Sequence, residues 1–218
     1  MGKVALVVGA TGLVGRNLLQ QLLLDDGYSR VIAFVRRYPG IAHGKLETHL
    51  INFDEPASWQ KLVKGDVLFS ALGTTIKQAG SQQNQYKIDY TYQYNFAAAA
   101  ANNGVPVYVL VSSAGADAKS RIFYSRMKGE LEAAVAKLPF QLISLLQPGL
   151  LVGEREQTRT GEKTAYKALT FFNKLGLFKK YRPIGGATVA KAMINAAKNT
   201  EEGLNTYSLD KVFSLAER

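Results

Sequence analysis

The chain has no cysteine and only two histidines among its 218 residues. The first absence excludes disulfides, zinc–thiolate sites and thiol nucleophiles. The second excludes a histidine-rich metal centre, since His43 and His49 are the only imidazoles available. No metal is therefore expected. No run approaches the roughly 18 apolar residues of a membrane-spanning helix, so no membrane span is expected. The start, MGKVALVVGATG, does not read as a secretory leader, because its short apolar run ends at once in a glycine-rich turn. Myristoylation is not expected either, since Leu6 stands where serine or threonine is needed. These absences make a cytoplasmic location the expectation. Acidic residues are scarce beside basic ones, 17 against 27, for a net charge of +10. Such a surface suits nucleic acid, anionic lipid or a phosphorylated ligand. The lysines and arginines are scattered, with no block of five or more. Most of the charge thus reads as solvated surface, a minority serving an anionic ligand, and nucleic acid is not an expected partner.

What is present is an ordinary globular composition, 47% hydrophobic and 20% charged. Short apolar runs at Val4–Val8, Val31–Val35, Val67–Leu72, Val107–Val111 and Leu142–Leu146 read as strands, with a weaker one around Leu50–Phe53. Their near-continuous hydrophobicity suits parallel strands covered on both faces. Helical patterns near 13–25, 56–63, 84–102 and 122–137 lie between them. This alternation predicts an α/β fold with right-handed crossovers. After Pro148-Gly149 the character changes: a polar loop over 153–163, helices near 164–175 and 187–198, and a strand near 205–209 are expected. That tail is too short to fold alone. Residues 1–218 are expected to form one domain, with 1–150 as a dinucleotide-binding core and 151–218 as a short substrate-side extension.

The first strand runs into Gly9-Ala10-Thr11-Gly12-Leu13-Val14-Gly15, and a helical pattern follows. The first glycine permits a tight turn, the second lets the backbone approach a pyrophosphate, and the third lets helix and strand pack closely. The helix start then offers free N–H groups to the phosphates. An NAD site usually places an acidic residue about 20 positions further on, for the ribose hydroxyls. Here that position is Val35-Arg36-Arg37, while Asp25 and Asp26 come too early. Guanidinium groups bind phosphate bidentately, so Arg36 and Arg37 point to a 2′-phosphate and to NADP(H).

The fifth strand ends in Ser112-Ser113, followed by Tyr124 and, four residues later, Lys128. A spacing of four places the two on one helix face. A free phenol titrates near pH 10, and a neighbouring ammonium favours its phenolate. A strand-end serine could hydrogen-bond a substrate carbonyl, with Ser112 preferred and Ser113 kept open. The stretch Tyr86, Tyr90, Tyr94 reads as a packing stripe, and Arg155 and Arg159 as either ligand contacts or solvated ion pairs.

In order and spacing these residues resemble the short-chain dehydrogenase/reductase superfamily, in its atypical branch. The turn GATGLVG, the serine after the fifth strand, Tyr124-x-x-x-Lys128 and Gln147-Pro148-Gly149 carry the likeness over roughly residues 3–200. Segments 72–80, 112–133 and 148–162 are similar to the Tat-interacting, metastasis-suppressor-type oxidoreductases and their bacterial relatives. The resemblance implies a single Rossmann-type domain, a doubly wound parallel sheet with helices on both faces, that binds NADP(H). It implies Tyr124 as general acid/base, Lys128 as the holder of the nicotinamide ribose and promoter of the phenolate, and Ser112 as the group that orients the carbonyl. Leu72, Gly73 and Thr74 would border the cofactor, Asp54 would lie near the adenine, and Pro148, Gly149 and Leu150 would approach the carboxamide. Many members carry an asparagine on the helix after the fourth strand; here Asp89 stands in its place, and Asn95 matches a different position. The activity implied is hydride transfer between NADP(H) and a small carbonyl or alcohol substrate. The alternative is an NADP(H)-binding redox sensor or scaffold that acts through a protein partner with little turnover.

Overall fold

The structure, a computed structural model, describes residues 2–153 and 182–218. The first strand, β1 (Lys3–Val8), is buried from Ala5 onward on both faces, as its unbroken apolar run requires. It feeds α1 (Leu13–Leu24), then β2 (Tyr28–Val35) and β3 (Leu46–Leu50). A short helix α2 (Pro56–Trp59), continued by a 3₁₀ turn over Gln60–Leu62, leads to β4 (Val67–Ser70). Next come α3 (Ile76–Ala79), α4 (Gln82–Tyr86), a π-helical turn (Lys87–Tyr92) and α5 (Gln93–Asn102). The chain continues through β5 (Val107–Val111), α6 (Phe123–Val135), β6 (Leu142–Gln147) and β7 (Leu151–Val152). The last described part holds β8 (Ile184–Gly185), α7 (Gly186–Ala196), β9 (Gly203–Ser208) and α8 (Asp210–Ala216).

Seven strands form one sheet in the order β3-β2-β1-β4-β5-β6-β9, and every neighbouring pair is parallel. The strand order reverses between β1 and β4, so their carboxyl ends open a crevice there. Alternate residues of β1 serve two cores. Ala5 and Val7 join Leu18, Leu22, Val189 and Met193 on one face, while Leu6 and Val8 join Trp59, Phe96 and Leu131 on the other. Helices thus cover both faces, as expected for a doubly wound sheet. The Trp59 indole stacks on Phe96 with centroids 4.1 Å apart and planes 8° off parallel.

Some boundaries move. The third strand lies at Leu46–Leu50, earlier than the expected Leu50–Phe53. It is the sheet edge, so its side chains stay half-exposed and its sequence lacks the buried-strand signature. The helix expected over 84–102 starts at Gln82 and contains the π-helical turn. The strand expected near 205–209 is β9, at the opposite edge of the sheet. The helix expected near 164–175, the loop beyond Gly153, Arg155 and Arg159 lie outside the described residues.

Candidate functional site

Four segments leave the carboxyl ends of adjacent strands and gather along one edge of the sheet: 9–15 after β1, 71–74 after β4, 112–113 after β5 and 148–150 after β6. The register fixes this, since Val8 pairs with Ser70, Ser70 with Leu110, and Val111 with Leu146.

In the first segment the three glycines do different work. Gly9 has φ +82, and a Cβ there would lie 2.5 Å from the Ala71 carbonyl. A Cβ on Gly15 would lie 2.0 Å from the Gly9 oxygen. Both positions are closed by backbone, so they need glycine for the turn itself. Gly12 is exposed, and the nearest atom to a Cβ there is the Gly9 oxygen at 3.4 Å. It starts α1 in extended conformation, its own N–H donating to the Gly9 carbonyl at 3.0 Å. Among the described residues no side chain caps this helix start and no acidic residue stands in its first turn. Thr11 and Leu13 are half-buried there, and Val14 is buried. An open helix start beside a glycine-lined cradle fits the diphosphate of a dinucleotide.

Arg36 and Arg37 follow β2 directly and are exposed. Asp54 is exposed; its Oδ1 accepts from the Tyr92 hydroxyl at 2.8 Å and lies 2.6 Å from Lys87 Nζ. The Lys87 hydrogen bond, then that of Tyr92, holds the Asp54 carboxyl below the usual carboxylate range.

Ser112 is 5% exposed, its N–H donating to the Leu146 carbonyl at 2.7 Å. Its Oγ is buried and makes no close hydrogen bond among the described residues, but it lies near enough to the Glu132 carboxyl to favour that group's ionised form, so a ligand carbonyl would compete with Glu132 for its proton. Ser113 is half-buried, with its Oγ turned to the Ala114 carbonyl at 3.3 Å. Tyr124, on α6, is 40% exposed, and the Lys128 Nζ lies 5.9 Å from its ring centre. Lys128 is 2% exposed. Gly129 lets the chain after Ser112 lie against α6, because a Cβ would sit 2.2 Å from the Ala118 nitrogen.

Two further groups bear on this site, and of their members only Asp89 is marked by the sequence. The first is a row on the helix after β4: Gln85, Asp89 and Gln93, all buried. Thr74 N–H donates to Asp89 Oδ1 at 2.7 Å, and Gln85 Nε2 donates to the Thr74 carbonyl at 3.1 Å. Asp89 Oδ2 lies 3.8 Å from Lys128 Nζ. Gln93 Nε2 donates to the Asp89 carbonyl at 2.6 Å, and its Oε1 accepts from Ser70 Oγ at 2.7 Å. The second group is Glu132, one turn beyond Lys128, which accepts from Gln147. For Gln85, Gln93 and Glu132 a spacing of four residues is the sequence signal. The tyrosine stripe beside the first row is packing, as expected: Tyr86 stacks on Tyr90 at 4.8 Å and Tyr90 on Tyr94 at 6.1 Å.

Among the described residues no cluster of metal-ligating side chains is found, and no helix is long and apolar enough to cross a membrane.

Comparison with known proteins shows the family and the fold. The NAD(P)H-binding family matches residues 9–138, from the glycine turn through α6. The mitochondrial protein fmp52 of Emericella nidulans is 35% identical across 99% of this chain and 95% of its own length. The mitochondrial protein FMP52 of Candida albicans is 35% identical across 94% of this chain and 91% of its own. Among solved structures, MoeE5 in complex with UDP-glucose and NAD superposes with a TM-score of 0.69. It is 15% identical, covering 98% of this chain and 81% of that one, so it shows a shared fold. The relatives correct one expectation. A cytoplasmic location does not stand, because these curated relatives are named as mitochondrial proteins. The cytoplasmic reading rested on the lack of a secretory signal and of an apolar span, and neither feature bears on mitochondrial import.

Proposed function

Because this chain belongs to the NAD(P)H-binding family, we propose that it is an NADP(H)-dependent oxidoreductase of the short-chain type, acting on a small carbonyl or alcohol. The observation that carries the reading is the buried Lys128 one turn from Tyr124, on the helix that faces the Ser112 strand end. Gly9, Thr11, Gly12, Leu13, Val14 and Gly15 would hold the diphosphate, and the exposed Arg36 and Arg37 the 2′-phosphate. Asp54 would border the adenine, Leu72, Gly73 and Thr74 the ribose side, and Pro148, Gly149 and Leu150 the carboxamide. When bound, the nicotinamide supplies or accepts the hydride. Ser112 orients the carbonyl oxygen, and Tyr124 donates its phenolic proton to that oxygen as the alcohol forms. Lys128 would hold the ribose hydroxyls beside Tyr124. Of the C-terminal part, the described residues 182–218 add β9 to the sheet edge and α7 to one of its faces. The segments shared with the Tat-interacting type of oxidoreductase support the same assignment. The relatives' names support a mitochondrial setting.

The test is a fluorescence titration with NADPH and with NADH, followed by a carbonyl panel. Tighter binding of NADPH, with turnover that Tyr124→Phe abolishes while binding persists, is expected. Turnover unchanged in Tyr124→Phe would remove the assigned acid. A second reading, an NADP(H)-binding regulator without turnover, draws on Asp89 in place of the asparagine. It predicts NADPH binding, no turnover on the panel, and capture of a partner that changes with NADPH.

A further inference from the structure

Two parts of the crevice that lie on different elements meet at one side chain. The 72–74 segment follows β4, and Lys128 belongs to α6. Asp89 touches both. One carboxylate oxygen accepts from Thr74 N–H at 2.7 Å, and the other lies 3.8 Å from Lys128 Nζ. Asp89 is 1% exposed and Lys128 2%. Ionised groups this deep persist only with close opposite charge and hydrogen bonds. The helix that carries Asp89 makes this geometry locally. Asp89 sits in its π-helical turn, a feature that re-aims side chains and recurs at functional sites. On one side, Gln85 holds the carbonyl of the same Thr74. On the other, Gln93 holds the Asp89 carbonyl and the Ser70 hydroxyl at the end of β4. Both backbone groups of Thr74 are thus fixed from a single row of buried polar residues, and Lys128 is held to that row by charge.

We infer that Asp89 is a positioning residue that locks Thr74 and Lys128 together, and so presets the nicotinamide half of the cleft, leaving the glycine turn and the arginines to bind the adenosine-phosphate half alone. The inference rests on the cofactor assignment above. It gives the aspartate a role an asparagine cannot fill, because only a carboxylate balances the Lys128 ammonium while accepting from Thr74. In asparagine the second position becomes an NH₂ group that faces the ammonium as another donor.

Two ligands separate the halves: NADPH, and adenosine 2′,5′-bisphosphate, which has no nicotinamide. In Asp89→Asn, NADPH binding is expected to weaken by about tenfold, the size of one lost charge-assisted contact, with the bisphosphate unaffected. Gln85→Met removes only the hold on the Thr74 carbonyl and leaves both charges in place. It should weaken NADPH in the same direction by a smaller factor, again sparing the bisphosphate. It keeps the question open to measurement if Asp89→Asn does not fold. Loss of both ligands in parallel would mean a general structural role and overturn the inference. NADPH bound equally by wild type and both variants would overturn it while leaving the cofactor assignment intact. Failure of the wild type to bind NADPH would overturn both.

Discussion

The side-chain amide of Gln147 donates to both carboxylate oxygens of Glu132, at 3.0 Å each. The Gln147 oxygen in turn accepts from the Ser208 hydroxyl, so a charge on α6 is tied to the carboxyl ends of β6 and β9. This tie lies directly before Pro148, where the cleft begins. Burial pushes the Glu132 carboxyl above its ordinary value of 4.5, against the opposing pull of the Ser112 hydroxyl, the Gln147 amide and the Lys128 ammonium. An acid whose folded value is raised holds its proton longer in the native state than in the unfolded one. Its contribution is therefore most favourable at low pH and declines as pH rises from the ordinary glutamate value through the raised one. In Glu132→Gln that decline should vanish. Melting temperatures of wild type and variant, measured from pH 4 to neutrality, should diverge in slope above the ordinary glutamate value. Parallel curves would show that Glu132 titrates as an ordinary glutamate.

The glycine turn allows fold and binding to be separated. A methyl group at Gly15 would meet the Gly9 oxygen at 2.0 Å, and backbone atoms there cannot swing aside. Gly15→Ala should cost on the order of 1–3 kcal/mol or more, as overpacked sites do. At Gly12 a methyl group stays 3.4 Å from its nearest neighbour, the Gly9 oxygen, with φ at −80. Gly12→Ala should fold with a loss of about 1 kcal/mol or less, in line with an exposed N-cap position. It should nevertheless lose NADPH binding, because the backbone can no longer approach the diphosphate. Thermal melts beside NADPH titrations check both halves. Undiminished NADPH affinity in Gly12→Ala would place the diphosphate elsewhere.

Phe96 anchors the face that carries the site. It is fully buried, stacks on Trp59 at 4.1 Å, and meets Phe34 and Phe53 at 5.2 and 5.5 Å. Phe96→Ala should cost about 3–5 kcal/mol. Trp59 is the only tryptophan and is 1% exposed, its Nε1–H donating to the Asn52 carbonyl at 3.0 Å. Its emission should thus be that of a buried indole. It should shift red in a single transition, at lower denaturant in Phe96→Ala. An early shift in wild type, ahead of the loss of helical signal, would detach this face from the cooperative core.

Most of this architecture was legible in the sequence, for a physical reason. Central parallel strands must be apolar on both faces, so Val4–Val8 and Val107–Val111 announce themselves. The edge strand β3, Leu-Glu-Thr-His-Leu, has no such constraint, so its sequence pattern does not mark its place. The short α8 is too brief to show a helical period in the sequence. At the site, glycines needed by the backbone stand out, since a spaced triplet between strand and helix has few other causes. The buried Gln85 and Gln93 do not stand out, and Asp89 does so only through the family resemblance. Polar residues at helical spacing normally mark a solvated face, and only the tertiary contacts with Thr74, Ser70 and Lys128 turn them inward.

Arg36 and Arg37 follow β2 without a spacer, at the place where an acidic side chain would otherwise take the ribose hydroxyls. A carboxylate there would repel a 2′-phosphate. A guanidinium instead offers it paired donors in a planar fork. Replacing both arginines with alanine should weaken NADPH binding by about 10- to 100-fold, the range expected when charge-assisted hydrogen bonds to a phosphate are lost. NADH, which has no such phosphate, should bind as before. Lysine at both positions keeps the charge but not the fork, so NADPH affinity should recover only in part. Both residues are exposed, so added salt should also weaken NADPH more than NADH in the wild type and lose that selectivity in the double alanine variant. Parallel titrations of the two cofactors at two salt concentrations decide the matter. Equal losses for NADPH and NADH would show that the arginines steady the turn as a whole and do not read the 2′ position.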